Sequence, residues 1–344
     1  MSQFLFVCSG GGHLKQLFTL SSRFGIDPAD QHWVTFDNGL SRSLLEGRRV
    51  TFSRFAAPRD ARPIAQNAMI AHRILAKGDY SAVFSTGSSP AVSFMPEASM
   101  RGIECHYVES AARADGPSIT GKIMARLPGV NTYTQYPVWA DERWLFGGSI
   151  FDAYTTGPDR PVSAIRRAVI SVGTQDLYPF DRLIAASVPL LKDAEVLWQT
   201  GLADVSPYGI EGRASVPHHE LQEAVKEADV VIAHAGTGAA ITAIEAGKVP
   251  ILVPRLVARG EHIDDHQIQI ARELDQRGLA IAASPEELTE ELLLRAASRT
   301  AALAPAVPPF RFSPSRARSA RRSSSPSTVP SWRAERGDSR AEAV

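Results

Sequence analysis

The 344 residues are enough for two hydrophobic cores, and 44% apolar with 22% charged residues is the make-up of an ordinary globular protein. Formal net charge is zero, but eight arginines against three carboxylates fall from Ala304 onward, so the body before them is mildly acidic, which excludes the footprint of a nucleic-acid binder. Two cysteines far apart, Cys8 and Cys105, exclude a disulfide framework; no apolar run is long enough to span a membrane, and no basic segment precedes "FLFV" to make a signal peptide.

In chain order, "QFLFVCS" predicts a strand, "GGG" a turn and "HLKQLFTLSSRF" a helix. "HWVTF" predicts the next strand. "RPIAQNAMIAHRILAKG" predicts an amphipathic helix with Ile64, Ala68, Ala71 and Leu75 on one face and Gly78 as its stop. "SAVFSTG" and "ECHYVES" are further strands, each followed by a polar or glycine-containing loop. "TTGPDRPVSAIRR" mixes glycine, proline and charge and marks a linker, set at residues 157–167. Beyond it strands at "AVISVGT", "EVLWQTG", "VVIAHAG", "VPILVP" and "LAIAA" alternate with helices, one from about Pro179 to Leu191 and others at "HHELQEAVKEA" and "DDHQIQIARELDQRG". A last helix over "SPEELTEELLLRAASRT" has Ser284 as N-cap and Glu287 completing a capping box. Such alternation is that of an α/β protein with parallel sheets. It divides into an amino-terminal doubly wound domain at 1–156, a second at 168–303, and a proline-, serine- and arginine-rich tail at 304–344 expected to be disordered. A basic arm touching anionic lipid is the other reading of that tail.

The most informative stretch is "ADVVIAHAGTGAAITAIEAGKVPILVP". A strand running through a glycine-rich turn into a helix exposes unsatisfied amides and the positive end of the helix dipole, which suits an anion. Gly236 and Gly238 allow close backbone approach, Thr237 adds a hydroxyl, and His234 at the strand end can donate to a phosphate oxygen. Glu245, about 10 Å along the helix at 1.5 Å per residue, has the chemistry to take vicinal hydroxyls, so the implied ligand is a diphosphate joined to a ribose. Gly247 reads as the stop of that helix.

The order "HAGTG…E…GKVPILVP…DDHQ" resembles the donor half of GT-B glycosyltransferases of the MurG type and the UDP-sugar box of UDP-glycosyltransferases. The resemblance implies a GT-B fold of two Rossmann-like domains with an interdomain cleft. It places the donor diphosphate at His234, Gly236, Thr237 and Gly238, the ribose at Glu245, and the sugar at Asp265, His266 and Gln267. "SVGTQ" resembles the glycine-rich first turn of that domain and brings in Gly173, Thr174 and Gln175, with one glycine where the family has more. Arg255, just past a strand end, is a candidate partner for a phosphate or a sugar carboxylate, or a surface charge. "CSGGGHLKQL" is similar to the Gly-Gly-His turn of the acceptor domain and supplies Gly11 and Gly12. "YVESAARADGPSITGKIM", with Ser110 and Arg113, is similar to the bacterial exopolysaccharide transferases PssD and PssE and to the eukaryotic dolichol-linked N-acetylglucosaminyl transferase pair, here fused in one chain. The resemblance covers about Phe4 to Ala283.

What it implies is an inverting transfer of a sugar from a UDP-sugar to a polyprenyl-diphosphate-linked saccharide. The protein would sit peripherally at the cytoplasmic face of the membrane, and the helices at Pro63–Lys77 and "SITGKIMARL" are candidate contacts with that interface. His13, at the end of the first strand, is the expected general base; Glu109 is the alternative, or orients His13, or pairs with Arg113. No Asp-x-Asp element occurs, so no metal cofactor is expected; His218 and His219 read as loop residues near a nucleotide base. Two alternatives stay open: a UDP-N-acetylglucosamine 2-epimerase-like enzyme, and a non-catalytic nucleotide-sugar-binding subunit of a transferase complex.

Overall fold

The computed structural model describes residues 3–56, 60–173, 178–262 and 265–313. These fall into two compact units. The first takes the chain up to Ser110, Gly116–Ile150 and the segment from Pro308; the second takes Ala111–Asp115 and Phe151–Val307.

In the first unit the apolar runs form parallel strands, the inner ones buried on both faces as helix-covered sheets require. The order along the chain is β1 (Gln3–Cys8), α1 (Gly12–Ser21), β2 (Gln31–Phe36), α2 (Gly39–Leu44), β3 (Arg49–Ser53), α3 (Ala61–Lys77), β4 (Tyr80–Gly87), α4 (Ser89–Met100), β5 (Glu104–Val108), α5 (Ile119–Met124), β6 (Val130–Thr134) and β7 (Trp144–Phe146). The sheet order is β3-β2-β1-β4-β5-β6-β7. Strand order therefore reverses between β1 and β4, and ligands of doubly wound folds bind outside the carboxyl ends at such a point.

Alternation along β1 sorts the core into two faces. Leu5 and Val7 pack with Val83, Cys105 and Tyr107 against Ala91, Phe94 and Met95 of α4 and Ala71 and Leu75 of α3. Phe6 faces the other way. Its register places it beside Trp33 and Phe84, and the rings stack with centroids 4.7 and 5.2 Å apart. Both cysteines are buried there as small core residues, and burial pushes both thiols up. On α3 the buried positions are Asn67, Ala71 and Leu75, whereas Ala68 is exposed; the Asn67 amide donates to Arg54 O and accepts from Arg54 N. Gly78 ends α3 at an ordinary φ of −102°. A Cβ there would lie 2.2 Å from the Tyr80 ring, so packing rather than left-handed backbone requires this glycine.

The second unit runs β8 (Tyr154–Thr156), β9 (Arg167–Ser171), α6 (Asp181–Ser187), β10 (Glu195–Gln199), β11 (Gly212–Arg213), α7 (His218–Glu227), β12 (Val230–His234), α8 (Thr237–Glu245), β13 (Ile251–Val253), α9 (His266–Gln276), β14 (Ile281–Ala282), α10 (Glu290–Ser298) and β15 (Ala301–Leu303). Its parallel sheet, β11-β10-β9-β12-β13-β14, repeats the order of the first, with the reversal between β9 and β12. Val169 and Val231 on these two strands pack with Val225 of α7 and Ala243 of α8. Thr155 and Thr156, which open the glycine- and proline-rich stretch read as linker, lie in β8 and pair antiparallel with β15. The capping box at Ser284 and Glu287 is present, but it closes only a single 3-10 turn, and Thr289 caps α10 afresh by accepting from Leu292 N.

The tail reading is corrected over its first ten residues. Phe310 is 5% exposed and Phe312 lies with it in the aromatic cluster of the first unit, against Phe24, Phe84, His106 and Tyr133. Arg23 donates to Pro308 O, Phe310 N to Arg23 O and Arg311 N to Gly147 O, so the segment's backbone is paired as well as its rings. The remainder of 304–344 lies outside the described residues.

Candidate functional site

At the reversal point of the second sheet, β9 ends at Ser171 and β12 at His234. His234 bridges them: Nδ1 donates to Ser171 O at 3.2 Å. A carbonyl oxygen only accepts, so Nδ1 carries the ring proton. Burial and then the Arg255 guanidinium push the ring pKa down to about 4, so it is neutral at pH 7 and Nε2 carries a lone pair. The expected donation from His234 to a phosphate oxygen does not follow from this tautomer. The imidazole lies between two glycines. A Cβ on Gly173 would sit 2.7 Å from Cε1, and one on Gly236 would sit 2.3 Å from Nε2. Those glycines are needed by the ring itself, and Gly173 also by its φ of +80°.

Gly238 is different. It is the second residue of α8, its φ is ordinary, and a Cβ there would meet nothing within 4 Å. Glycine in a helix costs about 1 kcal/mol relative to alanine, so a glycine without a packing reason points to something outside the chain. Thr237 and Gly238 open α8 beyond the ends of β9 and β12, where the helix's first amides are unsatisfied. Glu245 is not brought to this turn. It is the last residue of α8, at the opposite end, and its Oε1 accepts from the Tyr154 hydroxyl at 3.2 Å. Burial and the neighbouring carboxylate push that phenol up. Gly247, at φ +77°, ends the helix as expected.

Arg255 is not a surface charge. It is 1% exposed and donates to three backbone carbonyls, those of Val172, Tyr178 and Glu261, while its face lies over Phe180. Its own N–H donates to Oε1 of the buried Gln267 at 3.0 Å, which commits that oxygen to holding a loop. Glu261 closes that loop, accepting from Leu256 N and a paired donation from Arg182 at 3.0 and 3.1 Å. Asp265 Oδ1 accepts from Val257 N. His266, first residue of α9, lies edge-on to His262 at 4.7 Å, and His262 stacks on Tyr178. Tyr178 and Arg182 carried no local signal in the sequence, because their partners here, His262 and Glu261, lie far along the chain. Thr174 and Gln175 lie outside the described residues. His218 and His219 open α7.

The first sheet has a matching arrangement between β1 and β4. His13, second residue of α1, donates through Nδ1 to Thr86 O at 2.8 Å, and Thr86 Oγ1 donates back to His13 O at 2.8 Å. In the neutral ring Nε2 then holds the lone pair a base needs. Gly11 has φ +74° and caps α1. Gly10 admits the Asn38 side chain, 2.2 Å from where a Cβ would be. Gly12, like the half-buried Gly238, is a helix-opening glycine whose Cβ would meet nothing, and Gly12 is exposed. Beside them Gly87 at φ +113° and Ser88 at φ +68° lead into α4; Ser88 is the one non-glycine with positive φ among the described residues. Such strain concentrates where chemistry demands it. A Cβ on Gly87 would meet the Tyr107 hydroxyl at 2.9 Å and His13 Cε1 at 3.4 Å, so the phenol and the imidazole converge on this glycine.

Glu109 is 1% exposed and accepts from Ser110 N, Ser118 N, Ser118 Oγ and the Tyr107 hydroxyl at 2.9 to 3.4 Å. A carboxylate so occupied organises the 110–118 loop rather than serving as a base. Ser110 Oγ accepts from Gln16 Nε2, and Gln135 Nε2 donates to Glu109 O, which fixes the loop's entry to α1 and β6. Arg113 lies half-buried on the same loop.

Residues 167–308 match the glycosyltransferase family 28 C-terminal domain. A UDP-N-acetylglucosamine–N-acetylmuramyl-(pentapeptide) pyrophosphoryl-undecaprenol N-acetylglucosamine transferase of Sorangium cellulosum is 32% identical over 177 residues, 47% of this chain and 42% of that relative. The match therefore spans less than half of the relative's length. Among solved structures, Acinetobacter baumannii MurG superposes with a TM-score of 0.54 at 19% identity, covering 86% of this chain and 89% of that one. SnogD of Streptomyces nogalater, a glycosyltransferase, gives 0.54 at 18% identity, with 86% and 91% covered. The UDP-GlcNAc 2-epimerase of Methanocaldococcus jannaschii gives 0.53 at 12% identity, again with 86% and 91% covered. At these identities the likenesses concern the fold, which is α/β of the GT-B class.

Proposed function

We propose that the chain is a UDP-sugar-dependent glycosyltransferase that transfers a hexosyl group, with inversion, to a saccharide carried on a polyprenyl diphosphate. The observation that carries this reading is the open amino end of α8, with Thr237 and the sterically unneeded Gly238 at the β9/β12 reversal, inside the segment that matches the family 28 C-terminal domain. The α8 amides and the Thr237 hydroxyl receive the donor diphosphate and take up its growing charge as it leaves, without a required metal. His234 holds β9 to β12 and offers Nε2 as an acceptor, a use for a ligand hydroxyl. Asp265 and Gln267 of the expected sugar element accept from the backbone amides of Val257 and Arg255 and so shape the loop beside His266, which opens α9.

His13 is the base. With Nδ1–H committed to Thr86 O, Nε2 removes the acceptor hydroxyl proton; that oxygen bonds to the anomeric carbon of the donor, and UDP departs with the bonding pair. The "ES…SITGK" stretch favours an acceptor of the exopolysaccharide type, with donor and acceptor halves fused as in a joined PssD and PssE. Among the described residues no helix is long and apolar enough to cross a membrane; the acceptor's lipid calls for peripheral contact at the inner face. Incubating the chain with radiolabelled UDP-N-acetylglucosamine, UDP-glucose and UDP-glucuronate, with and without a polyprenyl-diphosphate saccharide and with a chelator present, tests the proposal. Label passing to lipid in the chelator supports it. Conversion of the UDP-sugar without acceptor favours the epimerase alternative, and UDP binding without turnover favours a non-catalytic subunit.

A further inference from the structure

A cavity of about 490 Å³ opens at the amino ends of the first sheet's strands, between Gln3 of β1, Arg49 of β3 and the last turn of α3. All strands of that sheet are parallel, so this edge lies a full strand, about 17 Å at 3.3 Å per residue, from the carboxyl ends where His13 sits. It belongs to neither arrangement described above.

Three cations line it, Arg49, Arg73 and Lys77, against one carboxylate, Asp79. Arg49 is held by the neutral Gln3 amide, Nη1 to Oε1 at 2.8 Å. Neither Arg73 nor Lys77 forms an ion pair with a described residue, although elsewhere on the surface arginines pair readily with carboxylates, as at Arg101–Glu97, Arg213–Glu220 and Arg277–Glu273. Like charges gathered on one cavity repel, and an anion relieves that repulsion. Two of the three are guanidinium groups, whose planar fork matches phosphate oxygens.

The floor is built as well as charged. His32, 5% exposed, is hydrogen-bonded through Nδ1 to the Tyr80 hydroxyl at 2.6 Å and through Nε2 to Thr51 Oγ1 at 2.8 Å. Burial, then Arg49, pushes its pKa down to about 4, so the ring is neutral and has one N–H. In the tautomer in which Thr51 donates to Nε2 and Nδ1–H donates to Tyr80, the phenol proton is not used on His32 and is left for a ligand. The Tyr80 ring can lie here only because residue 78 is glycine.

We propose that this cavity is a second ligand site, which takes a small anion bearing phosphate groups on Arg49, Arg73, Lys77 and the Tyr80 hydroxyl. The test is calorimetric titration of inorganic pyrophosphate into the full chain at low ionic strength, for wild type, Arg73→Ala/Lys77→Ala and Gly238→Ala. Both cations are exposed, so the double variant folds, which its unliganded melting point checks. Because the α8 end is itself proposed to take a diphosphate, wild type is expected to bind pyrophosphate at two sites; Gly238→Ala keeps the one in this cavity, and the double variant weakens that one about tenfold or more while its response to UDP is unchanged. Equal binding by the double variant, loss of all binding in Gly238→Ala, or no binding to wild type overturns the proposal. Phosphatidylcholine vesicles doped with phosphatidic acid form a separate arm. Vesicle binding that needs Arg73 and Lys77, without pyrophosphate binding, assigns the cations to a lipid headgroup and likewise overturns the small-anion site.

Discussion

The two reversal points are alike in strand order and unlike in how they use a histidine. In the first unit His13 comes from the helix after the inner strand and reaches across to the carbonyl of Thr86 on β4. In the second, His234 comes from the crossing strand itself and reaches back to the carbonyl of Ser171 on β9. In the neutral form both rings therefore carry the proton on Nδ1. The surroundings separate them: His13 opens a helix beside exposed Gly12, Gly87 and a phenol, whereas His234 is wedged between Gly173 and Gly236 and desolvated. One topology thus carries a ring proposed to exchange a proton and a ring held neutral by burial. The choice is made by what lies within a few ångströms and not by the motif.

The largest effect that separates them is on turnover. His13→Ala should lower kcat by roughly 10²–10⁴-fold, the usual worth of a general base, with UDP affinity unchanged in a direct titration. A loss below about tenfold would remove His13 from the chemistry. Next comes the scaffold under His234. Arg255→Met leaves three backbone carbonyls without their donor and should cost about 2–4 kcal/mol in urea unfolding without any ligand present. An unchanged midpoint with weakened UDP binding would instead make Arg255 a ligand group. Gly236→Ala pushes a methyl into the His234 ring and should cost about 1–3 kcal/mol, more than Gly238→Ala, which meets nothing; equal costs would show that the ring is not held there.

The smallest effect is on pH dependence. His32 and His234 both have folded pKa values near 4, below the ordinary 6.5. The unfolded chain therefore takes up protons first as pH falls. Their contribution to stability is complete above about pH 6.5 and is lost progressively towards pH 4, on the order of 1–3 kcal/mol per ring. His234→Gln should flatten part of that slope between pH 7 and 5. A slope identical to wild type would mean the ring is not desolvated in the fold.

Much of this fold was legible because parallel strands buried on both faces write themselves as apolar runs, and the glycine turns after β1 and β12 punctuate them. The turn at Gly236 to Gly238 was legible for the same reason. Glu245 was misplaced because helix rise measures how far a residue lies from a turn but not where its side chain is engaged; Tyr154, 91 residues earlier, decides that. Arg255 read as a ligand group or a surface charge because an arginine past a strand end gives no hint that three carbonyls from two loops surround it. Phe310 and Phe312 were hidden by the arginine, serine and proline around them, and only the aromatic face built by Phe24, Phe84 and Tyr133 explains their order.

The most direct test of the account is calorimetric titration of UDP into wild type, Gly12→Ala and Gly238→Ala. Both glycines open a helix, both face empty space, and neither needs a special backbone angle. The account predicts that Gly238→Ala alone loses UDP affinity, by about tenfold or more, while Gly12→Ala binds UDP as wild type does and loses transfer to the acceptor. If both variants bind UDP equally well, the amino end of α8 is not the nucleotide site, and the proposed division of labour between the two units is wrong.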